Sequence, residues 1–337
     1  MAQATEKPQL MNPAPESVVL AGAPAHGRYA GRIARIDWTA LRPRPGWLWR
    51  RLHHKRWQYV GLGNAQLFIG VAIVDLGWTC TAFAYLFDRR RRRLLADWSQ
   101  DGLPGLQAGV SDAPLADARA WFRGPGARLA LSHEDGDLLR LQVATRALRI
   151  EAELSLQDMA VPLLAIGPIE GGLAHATQKT SALRVRGWAE AEGQRFALDD
   201  AWAAVDASNG LLARDTAWRW ASAHRPDVGF NLQQGYFGNQ ENVLWLDGQP
   251  VALGAAQFDF DADQPLCPWR VRTDDGLLDL VFTPEGARAQ SRDLLVAASH
   301  YVQPVGTFAG RVRAGPDAPA REIGELLGVT EDHRSRW

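Results

Sequence analysis

The residues of this chain best suited to acid–base chemistry lie in its second half, and Glu241 has the clearest context among them. The dipeptide Asp247-Gly248 is typical of a type I′ hairpin turn, which places Glu241, Val243 and Trp245 on one face of a strand. A carboxyl group on an apolar face has a raised pKa and can act as an acid. The alternative is a carboxylate at the end of the strand, solvated or paired with an arginine.

Three further residues could take part in proton transfer, namely Asp206, His300 and Tyr301. Asp206 lies in the segment WAAVDASNG, where Asp, Ser, Asn and Gly cluster, so it is interpreted either as a proton donor or as a turn residue. His300 and Tyr301 lie in ASHYVQP, a strand near the C-terminus, where a histidine could serve as a general acid or base. A structural, hydrogen-bonded histidine is the other interpretation of His300.

Tryptophans are concentrated between His175 and Gly248, where five of the 14 in the chain lie. Trp218 and Trp220 are separated by one residue and therefore share a face of a strand. An indole wall suits a planar or polyene ligand, or a cationic intermediate, whereas ordinary core packing is the alternative. The tryptophans that we expect to bind ligand are Trp202, Trp218, Trp220 and Trp245.

Neutral amides alternate with apolar residues in the segment DVGFNLQQGYF. In an extended strand Phe230 and Leu232 share one face, and Asn231 and Gln233 share the other. Solvated strands usually carry charged residues, so neutral amides favour a face directed into a lumen, and exposure to solvent is the alternative. We therefore expect Asn231, Gln233 and Tyr236 to contact a ligand.

A group of polar residues, His175 to Thr180, follows the segment 159–172, which is interrupted by proline and glycine. Only three of the 37 basic residues are lysines, so Lys179 stands where arginine is the default. We include His175 and Lys179 among the candidate ligand-binding residues. For His175, as for His300, a structural role is the alternative.

The sequence contains no motif for a metal ion or an organic cofactor. Cys80 and Cys267 are far apart and lack a CxxC spacing, and no HExxH or facial-triad pattern occurs. Gly61-Leu62-Gly63 lacks the third glycine of a dinucleotide site, and there is no GxSxG or P-loop. We therefore predict no metal, no cofactor and two buried, reduced thiols.

Composition limits the classes of partner. A net charge of −1 provides no field that would attract nucleic acid, so we predict none. The N-terminus lacks a basic region followed by an apolar core, so we expect no signal peptide and a cytoplasmic protein. The apolar stretch 60–87 precedes an arginine run, but its glycines and Asp75 predict two strands and a turn rather than a membrane span. The oligomeric state is left open.

Strand-like runs separated by turn signals occur almost throughout the chain and predict an all-β fold. Two helices are expected, one from Ala113 to Phe122 and a short C-terminal one in REIGELLGVTEDHRSRW. The segment 159–172 suggests a domain boundary. We predict a flexible arm at 1–27, a first β domain at 28–165 and a second at 166–337, each long enough for a barrel.

Several runs resemble a bacterial family known as domain of unknown function 2804: KRWQYVGLGNAQLFIGVAIVDLGWTCTAFAYLFD, HATQKT, WAAVDASNGLLARDTAWRWASA, VGFNLQQGYFGNQENVLWLDG and HYVQPVGTFAG. The resemblance covers residues 28 to 332. That family is distantly similar to the lipocalin-like group of carotenoid 1,2-hydratase, AttH-like proteins and fungal pericyclases. The resemblance implies two calycin-type antiparallel β-barrels packed side by side, with an apolar pocket at or between them. Asp206, Gly210, Trp218 and Trp220 loosely match an Asp, Gly and Trp-x-Trp element of that group.

These observations predict a protein that binds a hydrophobic small molecule, such as an isoprenoid, a polyene or a lipid, in a tryptophan-lined pocket of the second half. One hypothesis adds cofactor-free acid catalysis of the hydratase, isomerase or cyclase type. The first alternative is a non-catalytic carrier of lipids or small molecules. The second is a carbohydrate-binding or carbohydrate-active β protein. Whether the chain is an enzyme is left open.

Overall fold

The computed structural model describes residues 11–293 and 298–336, which are nearly all β with one short helix, α1 (Trp47–His53). The strands up to residue 211 are β1 (Asn12–Pro13), β2 (Val19–Leu20), β3 (Ala23–Pro24), β4 (Gly27–Ala30), β5 (His54–Gly63), β6 (Leu67–Asp75), β7 (Cys80–Asp88), β8 (Arg93–Gly102), β9 (Ala108–Val110), β10 (Arg119–Gly124), β11 (Ala127–Glu134), β12 (Leu138–Ala144), β13 (Leu148–Ser155), β14 (Leu163–Pro168), β15 (Ala174–Lys179), β16 (Leu183–Ala191), β17 (Gln194–Ala197) and β18 (Trp202–Leu211). The strands that follow are β19 (Asp215–Arg225), β20 (Val228–Gly235), β21 (Val243–Leu246), β22 (Gln249–Ala252), β23 (Ala256–Asp259), β24 (Trp269–Thr273), β25 (Leu278–Asp293), β26 (Ala298–Val312) and β27 (Arg321–Arg336). Across these residues, no helix has both the length and the apolar character needed to cross a bilayer.

The first sheet contains 16 strands and is organised around β18. One edge of β18 pairs along its whole length with β5, which continues through β6 and β7 to β8. The other edge pairs with β15 at one end and with β16 at the other, and β16 leads through β13 to β9. The sheet curls, because β9 and β10 pack back against β6. Its strands are antiparallel except where β1 pairs with β4.

The second sheet contains nine antiparallel strands, in the order β22, β21, β20, β19, β27, β26, β25, β24, β23. It also curls, since β23 packs against β20. Its three longest strands, β25 to β27, extend toward the first sheet, and β25 contacts β8. The two sheets meet along β5 to β8, β15 and β18 on one side and β19, β20 and β25 to β27 on the other.

Apolar side chains fill the inside of each curled sheet. The first core consists mainly of aliphatic residues from β5 to β13, β16 and β18, and the second is built around Phe230, Trp269, Phe282 and Phe308. A third, aromatic cluster joins the sheets and includes Phe68, Tyr85 and Trp220. Gly70 makes room for this cluster, because a Cβ atom there would overlap the Tyr85 ring. Glycine at this position therefore lets the aromatic rings pack between the two sheets.

Two predicted turns are confirmed. β6 ends at Asp75 and β7 begins at Cys80, so the apolar stretch 60–87 forms strands of a sheet. The hairpin of β21 and β22 pairs Trp245 with Pro250 through Asp247 and Gly248, both of which have positive φ. These are the conformations that a type I′ turn requires.

The two predicted helices are wrong. The stretch 113–122 is a turn followed by β10, and the C-terminal stretch is β27, which pairs with both β19 and β26. Ile323 and Leu326 mimic helical spacing because a β-bulge inserts one extra residue between them, where Glu325 has φ +44°. The bulge returns both residues to the inner face of the strand.

The predicted burial of both thiols is also wrong for Cys267, which is exposed.

The strands change from one sheet to the other between Leu211 and Asp215. The predicted domain boundary at residue 165 thus falls within β14, inside the first sheet. Sheet membership alone does not define independently folding units, so the division into 28–165 and 166–337 stays a prediction. The arm 1–27 lies partly outside the described residues, although β1, β2, β3 and the start of β4 are ordered parts of it.

Candidate functional site

Two cavities of about 320 Å³ each lie between the sheets. We call the more aromatic one the aromatic cavity, and its aromatic lining consists of Trp57, Tyr59, Trp78, Phe83, Trp218, Trp220, Tyr236 and Tyr301. The other, the side cavity, is lined by Gly61, Trp202, His224 and Asn231 among others. Tyr59, Lys179, Asp206 and Trp220 line both. Such volumes suit a small-molecule ligand.

Three charged residues meet where the two cavities adjoin. The Lys179 ammonium lies 2.5 Å from Asp206 Oδ2 and 3.0 Å from Glu241 Oε2. Lys179 and Asp206 are directly paired residues of β15 and β18. The predicted position of Glu241 on a strand face with Val243 and Trp245 is wrong, because β21 begins only at Val243 and Glu241 lies in the loop before it. All three side chains are largely buried, and we call them the acid–lysine cluster. The fold thus brings together three candidate residues that are far apart in the sequence.

Hydroxyl groups hold the Asp206 carboxylate in its ionised form. The hydroxyls of Ser208 and Thr177 donate to Oδ1 at 2.8 and 3.2 Å, while Lys179 bonds Oδ2. Burial acts to raise the pKa of Asp206, but the Lys179 charge and these hydrogen bonds outweigh it and keep the pKa below its usual value. Burial acts to lower the pKa of Lys179, but its interactions with Asp206 and Glu241 outweigh burial and raise that pKa. Asp206 and Lys179 therefore form a stable ion pair.

Glu241 has the opposite electrostatic balance. Burial raises the pKa of Glu241, the Lys179 ammonium opposes that shift, and the negative charge of Asp206 adds to it, with a net rise. A single ammonium faces two carboxyl groups, so Glu241 is the one of the two that binds a proton more readily. A carboxyl group with a raised pKa in a cavity wall is the arrangement suited to a general acid.

The loop that carries Glu241 is fixed by amide side chains. Asn231 Nδ2 donates to the Glu241 carbonyl oxygen at 3.0 Å, and Asn231 Oδ1 accepts from the Trp220 indole at 2.8 Å. Asn242 Oδ1 accepts from the backbone of Gln233 at 2.7 Å. Asn231 and Gln233 lie on the face of β20 opposite Phe230 and Leu232, and both are buried, so the predicted alternation holds.

Gln233 offers polar atoms to the aromatic cavity. Neither atom of its side-chain amide has a hydrogen-bond partner within residues 11–293 and 298–336, and the side chain lines the cavity. A buried amide without partners costs free energy, so this position is suited to a ligand or to water. Tyr236, nearby in the same wall, stays a neutral phenol because burial and the proximity of Glu241 raise its pKa.

A second polar network lies next to the indoles of β19 and is centred on Glu331 of β27. The Trp218 indole and the Gln303 amide each donate to one oxygen of the Glu331 carboxylate at 2.8 Å, and Tyr85 donates to Gln303. Trp218 and Trp220 share one face of β19, as predicted, opposite His333 and Glu331 of β27. The hydrogen bond to Glu331 therefore fixes the Trp218 indole in the cavity wall.

Among the described residues, three predicted site residues line neither cavity, namely His175, Trp245 and His300. His175 is buried between Trp57 and Phe237, and burial together with the Lys179 charge lowers its pKa to about 3. Trp245 packs in a core cluster and donates to the Val161 carbonyl oxygen. His300 is exposed on β26 and contacts Ser291, whereas its neighbour Tyr301 points into the aromatic cavity.

Sequence reasoning placed the pocket in the second half of the chain and so missed its other wall. Trp57, Tyr59, Trp78 and Phe83 come from β5, β7 and the turn before β7, and only the pairing of sheets brings them to the site. Glu331 lies in the C-terminal stretch for which the sequence predicts a helix and the structure shows β27. The residues within the described ranges include no group of three or more His, Cys, Asp or Glu side chains arranged to hold a metal ion.

Comparison with known proteins gives a family and a fold. The model of the family described as domain of unknown function DUF2804 matches residues 15–337. An AttH-type protein of Nitrosomonas europaea has a similar structure, with a TM-score of 0.54, 12% identity, and coverage of 84% of this chain and 92% of that one. Kievitone hydratase from Nectria haematococca also has a similar structure, with a TM-score of 0.54, 10% identity, and coverage of 98% of each chain.

A third similar structure is CghA with Sch210972, with a TM-score of 0.53, 10% identity, and coverage of 84% of this chain and 88% of that one. No curated protein sequence matches this chain. At these identities the structural similarities establish a shared fold.

Proposed function

This chain belongs to the DUF2804 family, and we propose that it binds an apolar small molecule in the aromatic cavity and protonates it with Glu241. The observation that carries the proposal is the acid–lysine cluster, in which burial and Asp206 raise the pKa of a cavity-lining carboxyl group. The reaction class that this arrangement supports is hydration, isomerisation or cyclisation without a cofactor.

In the proposed reaction, the Glu241 carboxylic acid transfers its proton to an alkene carbon or a carbonyl oxygen of the ligand. With an alkene, the electron pair of the π bond forms the new C–H bond and the adjacent carbon becomes cationic; with a carbonyl, a lone pair of the oxygen forms the new O–H bond and positive charge is shared with the carbonyl carbon. Indole faces of Trp218 and Trp220 stabilise positive charge in the cavity. The Lys179 ammonium, 3.0 Å from Glu241, stabilises the carboxylate that the transfer leaves behind.

The cation is discharged by water or by loss of a proton, and in a cyclisation a second π bond of the ligand first attacks the cation and closes the ring before the charge is discharged. Attack by water and return of a proton to Glu241 gives a hydrated product, whereas loss of a neighbouring proton to Glu241 gives an isomer. In both cases Glu241 ends protonated and ready for the next turnover. The positioning residues in this scheme are Asp206, which holds Lys179, and Asn231, which holds the Glu241 backbone.

The descriptions of two similar structures support the proposed reaction class. One is named a hydratase, and another contains the small molecule Sch210972. Because they are only 10% identical to this chain, their activities enter here as support for a reaction class and say nothing about the ligand.

A non-catalytic carrier is the second candidate function. The observation that favours it is the aromatic lining, which would hold an apolar molecule equally well without proton transfer. A carbohydrate ligand is a third, since the unpartnered amide of Gln233 beside indoles also suits a sugar. The two alternatives predict, respectively, binding without turnover and a preference for oligosaccharides.

The proposal is tested by binding and then by turnover. Tryptophan fluorescence is titrated with retinoids, fatty acids and oligosaccharides, and ligand that co-purifies with the native protein is identified by mass spectrometry. The proposal expects apolar ligands to bind and sugars not to. With the identified ligand as substrate, Glu241→Gln should keep binding and lose about a hundredfold or more of the turnover.

A matched control is Glu153→Gln, which removes an exposed carboxylate paired with Arg140 and should change neither quantity. Turnover that survives in Glu241→Gln would contradict the acid role and favour another catalytic group. Binding without any turnover in the wild type would favour the carrier.

A further inference from the structure

Arg288 is a charged residue buried at the aromatic cavity, away from the acid–lysine cluster. It lies on β25 opposite Gln303 of β26, and only 1% of its surface is exposed. The guanidinium is enclosed by three aromatic rings, with its carbon 4.4 Å from the centre of the Phe83 ring, 5.3 Å from Tyr301 and 5.8 Å from Tyr85. Rings on several sides leave it few polar neighbours.

The hydrogen-bonding capacity of Arg288 is only partly used. Nε donates to Asp97 Oδ1 at 2.8 Å, whereas the buried Nη2 finds no acceptor among the residues that the structure describes. The Tyr301 hydroxyl lies beside the same guanidinium and has no hydrogen-bond partner in those ranges apart from it. Both side chains line the aromatic cavity. Two buried donors are therefore available at one place in its wall.

Unpaired buried donors of this kind are costly, and a charged donor most of all. Glu331, a carboxylate of the same wall, already accepts one hydrogen bond at each oxygen, from Trp218 and from Gln303. Arg288 and Tyr301 both line the cavity, so an acceptor can approach them from it. One guanidinium N–H and one hydroxyl can each donate to one oxygen of a single carboxylate.

We propose that Arg288 and Tyr301 bind a carboxylate of the ligand, so that the molecule held in the aromatic cavity is an apolar carboxylic acid. This inference rests on the proposed function and narrows its ligand class. The Arg288–Tyr301 site anchors the anionic end, and the apolar remainder extends along the indoles toward the acid–lysine cluster. Glu241 then acts on the chain of the ligand and not on its carboxylate.

The test compares ligands that differ only in the anionic group. Retinoic acid and retinol form one pair, and palmitic acid and hexadecanol form another, each titrated by tryptophan fluorescence at pH 7.5. We expect the acid of each pair to bind about ten- to a hundredfold tighter than the alcohol, as befits charge-assisted hydrogen bonds. Arg288→Gln should abolish this preference, and Tyr301→Phe should reduce it.

The matched control is Arg56→Gln. Arg56 is also a partly buried arginine, but its guanidinium is paired with Asp75 and Asp112, and it lines neither cavity. That variant, and Glu241→Gln, should keep the preference for acids. If Arg288→Gln does not fold, Tyr301→Phe decides, since it removes one hydroxyl and leaves the charge of Arg288 in place.

Equal affinity for acid and alcohol in the wild type, or a preference that survives in both variants, would overturn the inference while leaving the proposed function standing. Failure of all four ligands to bind would overturn both.

Discussion

The Lys179 ammonium and the Glu241 carboxyl oxygen Oε2 lie 3.0 Å apart in the wall of the aromatic cavity, although one residue lies on β15 and the other in the loop after β20. The pair joins the two sheets, because β15 belongs to the first sheet and β20 to the second. Asp206 completes the contact through its own bond to Lys179. The acid–lysine cluster is thus both the candidate catalytic group and a link between the sheets.

Replacing Lys179 should strongly destabilise the protein. Lys179→Met leaves two buried carboxyl groups without their cation, and we expect a loss of about 3–5 kcal/mol in the free energy of unfolding, measured by urea denaturation. In the double variant Lys179→Met/Asp206→Asn the loss should be smaller than the sum of the single losses, because the unpaired charge is removed. Arg140→Met, which breaks an exposed pair with Glu153, should cost less than about 1 kcal/mol. Equal losses of unfolding free energy in Lys179→Met and Arg140→Met would contradict a stabilising role of the acid–lysine cluster.

Ligand binding should change the fluorescence of particular tryptophans. Trp218 and Trp220 line the aromatic cavity, whereas Trp245 is buried in a core cluster and bonded to Val161. Trp218→Phe and Trp220→Phe should therefore each reduce the fluorescence change on titration with an apolar ligand, and Trp245→Phe should leave it intact. A change that disappears only in Trp245→Phe would place the ligand elsewhere.

Stability should depend on pH through Lys55, a buried lysine that bonds to the carbonyl oxygens of Leu52 and Leu76. Burial lowers its pKa to about 8, below the value of roughly 10.4 in an unfolded chain. Between these values the unfolded chain binds more protons, so the free energy of unfolding rises with pH. Urea denaturation from pH 7 to pH 10 should show this rise for the wild type relative to Lys55→Met. Parallel pH profiles for the two proteins would argue against the shift.

The bulge in β27 offers a stabilising substitution. Glu325 adopts φ +44°, a left-handed conformation that is unfavourable for a residue with a side chain and readily adopted by glycine. Glu325→Gly should raise the free energy of unfolding by about 1 kcal/mol. Glu322→Gly, on the regular part of the same strand, should lower it, because glycine weakens a strand interior. Destabilisation by both variants would show that the bulge conformation costs nothing.

Local patterns predicted the strands of this fold well and their pairing poorly. The alternation in DVGFNLQQGYF gave the two faces of β20, and Asp247-Gly248 gave the register of the next hairpin. The scarcity of lysine drew attention to Lys179. Its contact with Asp206 was not predictable, since β15 pairs with β18 past two intervening strands. Arg288 is one arginine among many, and only its aromatic surroundings distinguish it.

The pKa of Glu241 tests the central claim most directly. In protein labelled with ¹³C at the glutamate carboxyl carbons, the NMR signal of Glu241 is identified by its loss in Glu241→Gln and followed as the pH is varied. Because burial and the Asp206 carboxylate outweigh the Lys179 charge, the signal should titrate above the value of roughly 4.3 for an unperturbed glutamate. Titration at or below that value would mean that Glu241 is a permanent carboxylate, and the proposed proton transfer would be contradicted.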